Sequence, residues 1–149
     1  MIQRIQTVYL LIVGILLIVC MCMPVGAFVY PDMNIYEMSN LCITNPEGAP
    51  DYSTWALMGI LTISTVLSFV TIFLFKKRML QIRLTVFSTI LLFGYYITLV
   101  AFVYMLKEQA SFSPSWMVCL PFIGIVLNWL AIRAIGKDEV LVKAYDRLR

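Results

Sequence analysis

Between Arg4 and Asp32 the chain carries no charged side chain, and the same holds for residues 52–75, 84–106 and 109–132. The first of these runs, residues 5–31, would extend ~40 Å as a helix, more than the ~30 Å hydrocarbon layer of a bilayer. Four such runs in 149 residues leave few ways to fold. Hydrophobic residues make up 62% of the chain and charged ones 13%, against about a quarter charged in ordinary globular domains. A soluble fold of this size would be left with a large apolar patch in water. The reading is therefore an all-α integral membrane protein, one domain over 1–149. Its four-helix bundle has spans at about 5–30, 54–75, 84–106 and 114–135, an outer loop at 31–53 and a cytoplasmic tail at 136–149.

Charge sets the orientation. Lys76-Lys77-Arg78-Met79-Leu80-Gln81-Ile82-Arg83 is the only dense basic stretch and reads as a cytoplasmic turn between two transmembrane hairpins. Together with Arg4, Arg133, Lys137, Lys143, Arg147 and Arg149 it places ten of the eleven basic residues on one side. Basic residues mark the cytoplasmic face, so both termini of this multi-pass chain are expected there. Val25-Gly26-Ala27 resembles a signal-peptide cleavage site and Leu17-Ile18-Val19-Cys20 a lipoprotein signal. The length of the uncharged run favours an uncleaved span, ending with Phe28 and Tyr30 near the far interface.

Loops and faces follow from local pattern. Loose alternation over Asn34–Asn45, around Ser39-Asn40, predicts a β-hairpin on the outer surface. Ser64, Ser68 and Thr71 share a helix face and either join two helices or bond to their own backbone. Tyr95 and Tyr96 need hydroxyl partners, for which a Ser or Thr of the second span is the expectation. Ser113-Pro114 reads as the start of the fourth helix, Pro121 as a kink near its start, and Asn128 as a helix-joining amide on the face of Gly124. Gly136 is expected to end or bend that helix. Beyond it, Leu141, Ala144, Tyr145 and Leu148 form the stripe of a separate amphipathic helix.

Two constellations carry chemistry. Cys20, Cys22, Met23, Cys42 and Cys119 fall near the outer side, and soft sulfur ligands favour Cu(I). Against a metal site, Met and Cys commonly fill apolar gaps, and no ligand spacing or His supports one. Cys42 is also placed to pair with Cys22 or Cys119 in an oxidising periplasm. The other constellation is the charged inner side: Lys76, Lys77, Arg78 and Arg83 with Arg133, Lys137, Asp138, Glu139, Leu141, Tyr145, Asp146 and Arg147. Its mixed signs and narrow apolar stripe suit a protein surface better than lipid headgroups, with Asp146 pairing to the basic turn. The spans hold no ionisable residue of the kind that proton relays and coupled carriers keep at membrane depth. No enzyme, cofactor or nucleic-acid partner is expected. The expectation is an accessory or scaffolding subunit of a membrane complex; a small-molecule or soft-metal handler is the alternative.

Met1-Ile-Gln-Arg-Ile-Gln-Thr-Val-Tyr-Leu-Leu11, Tyr52-Ser-Thr-Trp55, the Lys76–Arg83 stretch and the tail Ala131–Arg149 together resemble a four-span membrane family of Bacteroidota, a domain of unknown function (DUF4293). The resemblance covers the whole chain and is most specific in the tail. It implies a bacterial inner-membrane protein and brings no activity or catalytic residue with it.

Overall fold

A computed structural model describes residues 3–31, 34–74, 77–106 and 110–147, with the backbone alone at 3, 4, 143 and 145–147. Four helices are long and apolar enough to cross a membrane. They are α1 (Gln3–Cys22), α2 (Trp55–Phe73), α3 (Arg78–Leu106) and α4 (Cys119–Arg147). α1 packs on α2 and α4, and α3 on the other side of both.

The packing is inverted relative to a soluble bundle. Ser64, Ser68 and Thr71 of α2 and Gln81, Thr85 and Ser88 of α3 are buried. Ile63, Val66 and Phe73 of α2 and Phe87, Ile90, Phe93 and Ile97 of α3 point outward, Ile97 being 72% exposed. Small hydroxyl residues let helix backbones approach, and the large apolar side chains find their partner in lipid. This is a multi-pass membrane protein. Ser68 and Thr71 donate to the carbonyls of Ser64 and Leu67, each four residues back. Their hydroxyls thus serve their own helix while their small size serves the contact.

The all-α expectation falls short, because one end of the bundle carries a five-stranded antiparallel sheet in the order β4-β3-β2-β1-β5. Its strands are β1 (Gly26–Val29), β2 (Ile35–Met38), β3 (Ile43–Thr44), β4 (Pro50–Asp51) and β5 (Ser111–Pro114). The chain leaves α1 at Cys22, short of the expected Tyr30, because Pro24 has no N–H to continue the helix. Val25 then uses both backbone groups in the sheet: its N–H donates to the Met38 carbonyl at 2.8 Å and its carbonyl accepts from Ser115 N–H at 2.9 Å. β2 and β3 form a hairpin around Ser39–Cys42.

β5 is a second correction. Ser111-Phe-Ser-Pro114 pairs with β1, Gly26 opposite Pro114 and Phe28 opposite Phe112, and does not open α4. A short 3-10 turn, Trp116–Val118, leads into α4 instead, and Pro121 falls within the first turn of α4, where a missing N–H costs nothing. Phe28 sits 5.0 Å from Phe112 across the strands and is buried. Gly26 makes the pairing possible, since a Cβ there would lie 2.7 Å from the Ser113 carbonyl oxygen.

The other end differs from expectation in two ways. Arg78 to Arg83 lie inside α3 and not in a turn, and Lys77 N–H, just before that helix, donates to the Leu74 carbonyl. α4 runs through Gly136 without a break. A helix-interior glycine costs only about 1 kcal/mol against alanine.

Candidate functional site

The charged end of the bundle is built from α4, α3 and the start of α1. With Trp116, in the turn that leads into α4, near one boundary, a rise of ~1.5 Å per residue puts Arg133 about 26 Å and Lys137 about 32 Å further along the axis. Both residues therefore reach the far boundary of a ~30 Å apolar layer. The ten residues after Lys137 project beyond it.

The tail is tied to α3. Arg78 Nη1 lies 3.2 Å from Asp138 Oδ2, and its hydrogen bond goes to the Asp138 carbonyl at 3.3 Å. Asp138 is thus one acid that meets the basic stretch. The side chain of Asp146, expected in that role, lies outside the described residues, as do those of Tyr145 and Arg147 and the whole of Lys76. Buried Gln81 reinforces the same junction by donating to the Thr71 carbonyl at 3.3 Å, where α2 gives way to α3.

Two neighbouring grooves open along α4. One, of about 590 Å³, is lined by Arg133, Gly136, Lys137, Val140 and Leu141. The other, of about 360 Å³, adds Ile5 and Tyr9 of α1 with Leu130 and Ala134 to Arg133, Lys137 and Leu141. Arg133 is oriented by Trp129, its guanidinium carbon 4.8 Å from the ring centroid. Of the residues expected to bind a partner, the structure gathers Arg133, Lys137 and Leu141 on the grooves and Arg78 with Asp138 beside them. Lys77 and Arg83 are exposed and are not among the described residues lining either groove. Glu139 follows Asp138 on α4. Ile5 and Tyr9 escaped the sequence reading, although the Tyr9 position near an interface was a usable signal.

The sheet end holds the sulfur residues and a buried polar node. Cys20 is buried with its Sγ 4.0 Å from the Met117 carbonyl, and Cys22, Met23 and Cys119 are exposed. Cys42 is half-buried, its Sγ 3.5 Å from Ser39 Oγ. All four thiols are free, so the expected Cys42 disulfide is not formed. Among the described residues no three of Cys, Asp and Glu converge.

The node is Asn40, at the hairpin tip. Its Nδ2 donates to the Cys20 carbonyl at 2.7 Å, its Oδ1 accepts from the Tyr95 hydroxyl at 2.8 Å, and its carbonyl accepts from Met58 N–H at 3.1 Å. It therefore satisfies orphan groups at the end of α1 and the start of α2, where a helix leaves carbonyls and N–H groups unpaired. Tyr96 donates to the Val118 carbonyl. The tyrosine partners thus come from the sheet end, and no Ser or Thr of α2 is used. Asn128 reaches Ser88 Oγ at 3.5 Å from the face of Gly124, and so bridges α4 and α3.

No curated protein matches the chain. The family described as a domain of unknown function, DUF4293, matches residues 2–148. With essentially its full length covered, the chain belongs to that family.

Proposed function

We propose that this chain is a non-enzymatic accessory or scaffolding subunit of a larger membrane protein complex. In this reading it sits in a bacterial inner membrane with the charged end and both termini in the cytoplasm. Ten of eleven basic residues at that end support the orientation. The partner docks on the end of α4.

One observation carries the reading. α4 continues past the apolar layer as a helix anchored by Asp138 to Arg78, yet its Val140, Leu141 and Val142 remain exposed. A solvated tail needs no anchor and no apolar side chains. An anchored helix with uncovered apolar side chains is the form that helix-in-groove recognition takes. The charged residues around it favour orientation and partner choice over raw affinity.

The test is affinity purification of the full-length protein from its native membrane beside Val140→Ser/Leu141→Ser, which leaves the Arg78–Asp138 pair intact. Loss of a stoichiometric partner from the double variant alone is the expected result. Equal recovery of every partner by both forms removes the tail as the docking element.

A further inference from the structure

Arg133 and Lys137 stand one turn apart on α4, both facing the groove of about 360 Å³ that α4 forms with Ile5 and Tyr9 of α1. We propose that this groove binds an anionic phospholipid, its phosphate held between Arg133 and Lys137 and an acyl chain laid along Ile5 and Leu130.

Depth comes first. At about 26 and 32 Å from Trp116, the two cations lie at headgroup level while Leu130, at about 21 Å, lies on the hydrocarbon side. Charge comes second. Asp138, next to Lys137 in the chain, is drawn to Arg78 at 3.2 Å, so this acid does not neutralise the pair across the groove. Geometry comes third. The Arg133 guanidinium rests 4.8 Å from the Trp129 ring, which leaves its in-plane donors to meet phosphate oxygens. Among the described residues the wall is otherwise apolar, with Tyr9 its one hydroxyl-bearing side chain. An extended protein segment would need backbone partners that the described wall residues do not supply. A lipid needs one anionic contact and apolar length, and finds both.

The proposal goes beyond the docking reading, which rests on Val140 and Leu141. It is tested by native mass spectrometry of the purified full-length protein, equilibrated with phosphatidylglycerol, with phosphatidylcholine, or with inorganic phosphate alone. Phosphatidylglycerol should be retained about tenfold over phosphatidylcholine, as attraction of two basic groups to an anionic headgroup requires. Arg133→Gln/Lys137→Gln should lose that preference, and Arg83→Gln, at an exposed cation off the groove, should keep it. Ala134→Phe should also lose it, by filling the groove with both charges in place, and so serves if the double variant does not fold. Equal retention of the two lipids overturns the proposal, as does a preference that survives either groove variant. Saturation by inorganic phosphate reassigns the site to a soluble anion and overturns it too. Partner recovery unchanged in Arg133→Gln/Lys137→Gln would show the lipid site and the docking surface to be separate.

Discussion

The Tyr95 hydroxyl donates to Asn40 Oδ1 at 2.8 Å, and neither residue retains exposed surface. One lies in the membrane span of α3 and the other at the tip of a surface hairpin. The bond is therefore where the sheet is fastened to the bundle. A buried acceptor that loses its donor costs about 1–3 kcal/mol. Tyr95→Phe should lower stability by about 1–2 kcal/mol in detergent unfolding. Asn40→Ala should cost about 3 kcal/mol, because the Cys20 carbonyl loses its donor as well. The double variant should be less than additive by about 1 kcal/mol. Full additivity would mean that the two side chains do not act together.

Gly26 is the sharpest steric requirement in the sheet. Adding a methyl places it 2.7 Å from both the Phe112 ring and the Ser113 carbonyl oxygen, and backbone cannot swing aside as a side chain can. Gly26→Ala should destabilise by about 1–3 kcal/mol, the usual cost of overpacking. Limited proteolysis should then cut near Ser111–Ser115, where β1 no longer holds β5. An uncut variant of unchanged stability would show that the strands can separate without cost.

The Arg78–Asp138 pair is partly exposed, with side chains at 26% and 14%. Either Arg78→Gln or Asp138→Asn should cost about 1 kcal/mol or less, diminishing further as salt is raised. The larger effect falls on the tail. Hydrogen exchange of residues 137–147 should rise in both variants, and Arg78→Asp/Asp138→Arg should restore part of the protection. Exchange that stays at the wild-type level would show the tail to be held by other contacts.

The native thiols report orientation. Cys22 and Cys119 are exposed near the sheet, and Cys20 is buried. A membrane-impermeant maleimide added to spheroplasts should modify Cys22 and Cys119 and leave Cys20 unmodified. Lys77→Cys in a cysteine-free background should react only after lysis. The opposite pattern would place the sheet in the cytoplasm.

The spans were legible because lipid burial demands long uncharged runs and nothing else in this sequence satisfies that demand. Their ends were not. Gly26–Val29 continues the apolar run of α1, and only Pro24 marks the change from helix to strand. Four residues of β5 are too few for alternation to register, and Ser113-Pro114 imitates a helix start. Gly136 reads as a stop, yet it stays helical; among the described glycines only Gly48 takes a positive φ. The charged residues of the tail were legible as a group, and Arg133, Lys137 and Leu141 do share the grooves. Asn40 was not, since its bonds reach 20 residues back to Cys20 and 55 forward to Tyr95. No local window contains them.

β1 lies between β2, a few residues onward, and β5, which pairs Gly26 with Pro114 across 88 positions (114 − 26). Loop closure of that length is slow and entropically opposed until the intervening elements are in place. β5 emerges only after α3 has left the ribosome. Until then β1 presents an open edge, and an unpaired edge invites strand addition from any neighbouring chain. A nascent chain stalled before Ser111 is thus the form most exposed to mispairing. The last strand seals the first, which makes closure of the sheet a built-in report that the chain has been made past α3.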